Sequence, residues 1–133
     1  MKTARILAVA VLIVASALAL RVAHSQQTGV KRTELQRHDL SIPGREIIQV
    51  RADFPPGAAV PKHTHPGEEL VYVLEGALQF QLEGQTPVTL QAGEVLFVPA
   101  GTVHTANNVS SGNSTVLSTY IVEKGKPLLT LVQ

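Results

Sequence analysis

From Leu35 to the C-terminus the apolar residues come in short runs, each closed by Gly, Pro, Asn or Asp. No window keeps a 3.6-residue period for the length of an ordinary helix. A chain punctuated in this way buries its apolar side chains between strands. Seven are expected, at 46–53, 70–74, 77–83, 86–90, 94–98, 103–108 and 115–123. Turn chemistry separates them: Pro55-Pro56-Gly57, Pro66-Gly67, Glu83-Gly84, Ala92-Gly93, Pro99-Ala100-Gly101 and Ser111-Gly112-Asn113. Short strands in this number build a sandwich or a barrel. The 133 residues suffice for one core, and so for one pocket.

The first 25 residues have a different character, with 18 of them apolar. Lys2 and Arg5 precede an apolar and small-residue run from Ile6 to Leu20, and Ala23 and Ser25 stand three and one before a cut ahead of Gln26. This is the order of a secretory signal peptide. The alternative is a membrane anchor through an uncleaved leader, but a fifteen-residue helix covers only about 22 Å of a hydrocarbon core roughly 30 Å thick. The expected organisation is a signal peptide at 1–25, a flexible lead-in at 26–40, the folded domain at 41–124 and a C-terminal tail at 125–133. The protein is then periplasmic or secreted, with no membrane contact after cleavage.

Without the leader the chain carries 8 Lys and Arg against 10 Asp and Glu, so no basic surface is left to hold nucleic acid. The absence of cysteine removes disulfides, thiolate ligands and a Cys nucleophile. Any metal has to be held by His and carboxylate.

His63 and His65 lie two apart, so in an extended segment both imidazoles leave the same face, and Glu69 shares their parity. His104 follows the Pro99-Ala100-Gly101 turn and leads into another strand. Three imidazoles and a carboxylate form a ligand set for one divalent transition metal, Cu, Zn, Fe, Mn, Ni or Co, with positions left for water or substrate. A chain that takes its metal outside the cytoplasm is expected to favour Cu or Zn by the affinity order. His24 and His38 lie apart from this group and receive no role.

These residues resemble the cupin superfamily. Gly57, His63, His65, Glu69 and Gly76 stand at the intervals of its first motif, and Gly93, Pro99, Gly101, His104 and Asn108 at those of its second. The resemblance implies an all-β, single-domain jelly-roll barrel of six to eight antiparallel strands. It implies His63, His65, Glu69 and His104 as metal ligands, with Glu69 also the catalytic base. Glu69 rather than Glu68 takes the ligand place, because Glu69 lies seven residues before Gly76 and in phase with both histidines. The glycines read as turn formers and Asn108 as a strand-end residue.

The resemblance further implies a small metalloenzyme, dioxygenase-like as in the quercetin dioxygenase branch, or isomerase-like, acting on a small organic molecule. The alternative is a non-catalytic exported protein that holds a metal or a small ligand. Small cupins of this type are commonly homodimers, and the strand at 70–74 agrees. Its Val71 and Val73 share the Glu69 face, while Leu70, Tyr72 and Leu74 make the other face apolar too. That outer face calls for a cover, either the 35–50 segment or a second subunit. Phe80, Phe97 and Val73 are candidates for an apolar pocket wall, and no Arg is evidently inward.

Overall fold

The computed structural model describes residues 29–133. The signal peptide expected at 1–25 and the cut before Gln26 lie outside the described residues. Ten strands follow in order: β1 (Lys31–Asp39), β2 (Arg45–Phe54), β3 (Ala59–Thr64), β4 (Gly67–Glu75), β5 (Ala77–Leu82), β6 (Val88–Gln91), β7 (Val95–Val98), β8 (His104–Asn108), β9 (Ser114–Glu123) and β10 (Thr130–Leu131). They form two five-stranded sheets, β1-β2-β9-β4-β7 and β10-β3-β8-β5-β6, with antiparallel neighbours throughout. This is the jelly roll that the motifs imply, with more strands than the six to eight expected.

Period-two patterning closes the interior. Ile48, Val50, Ala52 and Phe54 of β2, Val71 and Val73 of β4, and Leu78, Phe80 and Leu82 of β5 are all buried. Removing side chains such as Val73 or Leu78 from water contributes about 1.5–3 kcal/mol each. Two glycines permit close approach of strands. A Cβ at Gly67 would lie 2.0 Å from the Ile121 carbonyl oxygen of β9. At Gly76, which has a φ of 74°, it would lie 2.2 Å from Ser114 Oγ.

Three strands depart from the sequence expectation, for physical reasons. β1 occupies most of the 26–40 segment expected as a flexible lead-in. All nine of its side chains are exposed, so it shows no alternation. Its order comes from the backbone ladder to β2 and from polar ties such as Arg37 to Glu46 at 2.7 Å and Gln36 to Gln49 at 2.9 Å. In β3 the pairing slips between Val60 and His63, a bulge at Pro61 and Lys62 that breaks the period-two pattern. β10 holds only Thr130 and Leu131, which pair with Thr64 and His63, so the 125–133 stretch is docked on the barrel rather than hanging from it.

β1 lies at the edge of its sheet, separated from β4 by β2 and β9, so the 35–50 segment does not cover the outer face of β4. Leu70, Tyr72 and Leu74 are each between 44% and 45% exposed. Phe97, expected as pocket wall, is 56% exposed on that outer face, because it pairs with Leu70 while its neighbour Val98 pairs with Glu69 and turns inward. Val73 is fully buried core and does not line the cavity described next.

Candidate metal centre

The centre sits where the chain crosses from one sheet to the other. His63 and His104 are direct cross-strand partners on β3 and β8, and Glu69 is opposite Tyr120 on β4 and β9 of the facing sheet. His65 occupies the short link between β3 and β4. The bulge at Pro61 and Lys62 has a consequence here. It shifts the phase of β3, so that Val60 and His63, three residues apart, are both buried.

All four residues proposed from the sequence are buried and brought together. The ligand atoms of His63, His65 and His104 lie within 4.8 Å of one another. Glu69 Oε2 is 3.2 Å from Nε2 of both His65 and His104. Glu68, on the opposite parity, is only half-buried.

Each imidazole is held from behind by a backbone carbonyl. Nδ1 of His63 lies 2.7 Å from the Pro61 oxygen, Nδ1 of His65 2.6 Å from that of Leu128, and Nδ1 of His104 2.8 Å from that of Thr102. A carbonyl only accepts, so each Nδ1 donates and carries the proton. The neutral rings then turn unprotonated Nε2 lone pairs inward, the tautomer that metal-binding histidines use. On the inner side the lone pairs of His65 and His104 meet the Glu69 carboxylate, which also only accepts. A buried group of acceptors without a donor is unfavourable, and a cation at its centre relieves it. His65 Nε2 shows the same need, being buried with no hydrogen-bond partner. The buried three-histidine cluster therefore suits one transition-metal ion.

The surroundings set the protonation states. Burial, and next the neighbouring His104, lower the His63 pKa to about 4, against the lesser pull of the Pro61 carbonyl. Burial pushes the Glu69 carboxyl up, but the neighbouring His104 and His65 rings and the Ser118 hydroxyl outweigh it and leave the group well below the usual carboxylate range. Burial and the charge on Glu69 push the Tyr120 phenol well up, with Arg32 opposing. The Tyr120 ring stands edge-on to His65 at 4.7 Å.

A cavity of about 20 Å³ opens on the cluster, enough for one or two small atoms of water size. His63, Glu69, His104, Ser118 and Tyr120 supply its polar wall, and Phe80 is among the apolar residues. Arg32 also lines it, contrary to the expectation that no Arg turns inward. Sequence reasoning also missed Ser118, Tyr120 and the Leu128 carbonyl. Ser118 and Tyr120 had a signal, since they share the parity of Val116 and Val122. Asn108 does not touch the site. Its amide nitrogen donates to the carbonyls of Phe54, Pro55 and Gly112, and its Oδ1 accepts from Ser110 and Ser114, so it pins the loops at the far end of β8.

Fold and site together define a class, a small all-β barrel with a buried three-histidine cluster facing a carboxylate. The cupin domain model matches residues 50–128, and the chain belongs to the cupin family. Among curated proteins it is 38% identical over 87 residues to germin-like protein subfamily 2 member 2 of Arabidopsis thaliana, covering 59% of this chain and 40% of that one. It is 40% identical over 51 residues to the dimethylsulfoniopropionate lyase DddQ of Ruegeria pomeroyi, covering 38% of this chain and 25% of that one. The chain thus spans less than half the length of these relatives. Among solved structures, an oxalate oxidase in complex with glycolate superposes with a TM-score of 0.66 at 25% identity, covering 81% of this chain and 57% of that one. A cupin superfamily protein from Desulfitobacterium hafniense superposes with a TM-score of 0.60 at 21% identity, covering 71% and 78%.

Proposed function

We propose that the protein is an exported metalloenzyme that holds one divalent transition-metal ion on His63, His65, Glu69 and His104 and acts on a small organic molecule. The observation that carries this reading is the convergence of three imidazoles, each anchored through Nδ1, two of them facing the buried Glu69 carboxylate, with His65 Nε2 left unpartnered. A bound ion would supply Lewis-acid or, for a redox-active metal, electron-transfer chemistry. The protein's own residues orient the site: the Pro61, Leu128 and Thr102 carbonyls hold the rings, Ser118 steadies Glu69, and Phe80 and its apolar neighbours limit water. Glu69, the one carboxylate among the residues lining the cavity, is the group to take a proton from a bound molecule. That a lyase and an oxalate oxidase are among the similar proteins supports an enzyme of this general kind, dioxygenase-like or isomerase-like.

The test has two stages. Elemental analysis of protein purified from its own compartment is expected to find one ion per chain, and oxygen uptake or product formation with flavonols, catechols, diketones and small hydroxy acids to find turnover lost in Glu69→Gln. Protein that takes up none of the six candidate metals overturns the reading. A second reading, a non-catalytic binder, draws support from the small cavity and is the outcome if a fully loaded protein turns over none of these compounds.

Two further proposals accompany it. Export rests on the order of charged, apolar and small residues in 1–25, and is tested by the N-terminus of the mature protein, expected at Gln26. A homodimer rests on the outer face of β4 and β7, where Leu70, Tyr72, Leu74, Val95 and Phe97 form one exposed apolar surface.

A further inference from the structure

We propose that Arg32 makes the cavity selective for a small carboxylate, an inference that rests on the metal-site reading above. The register places the side chain. Arg32 of β1 pairs with Ala52 of β2, and Ala52 pairs with Val116 of β9. Direct cross-strand partners share a face, and Ala52 and Val116 are buried residues that line the cavity. Arg32 extends that inward row to the sheet edge, where it is exposed and forms part of the cavity mouth.

Among the described residues its charge is unpaired. Arg37, Arg45 and Arg51 each pair with a carboxylate, to Glu34 and Glu46, to Glu123 and to Asp53. Among the described residues Arg32 has no such partner, and it is the one Lys or Arg side chain that lines the cavity. A divalent ion facing the single Glu69 carboxylate leaves net positive charge in a chamber with apolar walls, and Arg32 adds another at its mouth. Positive charge in such a setting is balanced by an anion, and a guanidinium fork fits a carboxylate best. The small cavity admits only an atom or two of such an anion and so favours the smallest carboxylates, held partly at the mouth beside Arg32. Without the ion, Glu69 would repel the same ligand, so anion binding and metal binding are coupled.

Calorimetric titration of the Zn²⁺-loaded protein with acetate, and with acetamide as its neutral counterpart, tests the assignment. Acetate is expected to bind more tightly than acetamide, to weaken at least about tenfold in Arg32→Gln, to recover in part in Arg32→Lys, and to lose its advantage over acetamide when Zn²⁺ is removed. A protein that takes up neither Zn²⁺ nor any other of the six candidate metals overturns the metal-site reading, and the Arg32 assignment with it. A protein that takes up one Zn²⁺ yet binds acetate equally well with Gln at position 32, or binds acetamide as tightly as acetate, overturns the Arg32 assignment alone.

Discussion

The two faces of β4 are built from similar side chains and meet opposite fates. Val71 and Val73 point inward beside Glu69 and are 2% and 0% exposed, whereas Leu70, Tyr72 and Leu74 point outward and keep nearly half their surface. Apolar patterning alone does not distinguish them. The difference is topological: the second sheet lies against the inner face, while among the described residues nothing lies against the outer one. The inner face teaches how a buried carboxylate is tolerated, by facing a cation site. The outer face shows that an apolar strand surface can be left for something beyond its own fold to cover.

The largest effect expected is on the inner side. His63→Ala, His65→Ala and His104→Ala should each lower metal affinity on the order of a hundredfold or more, since even outer partners of a metal ligand cost 10–100-fold. Elemental analysis after dialysis measures it. Glu69→Gln should weaken binding less steeply and abolish turnover, while Glu68→Gln leaves both unchanged. Equal damage from the two glutamate changes would break the distinction between the faces at its most functional position.

A smaller effect separates the apolar members. Val73→Ala leaves a cavity in a closed core and should cost about 2 kcal/mol in denaturant unfolding, against about 0.5 kcal/mol or less for Leu74→Ala on an uncovered face. If a second copy covers that face, the Leu74→Ala cost rises with protein concentration. Light scattering should then show a dimer that Phe97→Glu converts to a monomer. A wild-type monomer at every concentration would remove the dimer.

The same contrast explains what could be read in advance. His63, His65, Glu69 and His104 were legible because ligand chemistry and parity point the same way, and the strands at 46–53 and 115–123 because one buried face forces alternation. β1 was not legible, since its nine exposed side chains impose no period, and β3 was not, since the bulge at Pro61 and Lys62 breaks the period. Arg32 and the Leu128 carbonyl escaped for a related reason. Each reaches the site through pairing with a distant strand or from beyond the last long strand, and neither lies in a motif. Phe97 was misplaced because both faces of β7 are apolar, so composition could not say which one turns inward.

The last effect concerns pH and again isolates the inner face. In the metal-free protein the His63 pKa is lowered to about 4, chiefly by burial, below the 6.5 of an unperturbed imidazole. Protons therefore bind the unfolded chain more readily than the folded one, and the stability this site contributes is fully present above pH 6.5 and lost as pH falls toward 4. Glu69 is also held below its ordinary value of 4.5, so its own loss comes at lower pH and leaves a window between about 6.5 and 4.5 in which His63 dominates this site. Urea midpoints of the metal-free protein should fall across that window, and His63→Gln, which cannot take up the proton, should flatten the dependence. Among the described residues the outer face holds no buried ionisable group, and Leu74→Ala should shift the whole curve without changing its slope. A slope unchanged by His63→Gln would show that the imidazole is no more buried in solution than the residues on the other side of the sheet.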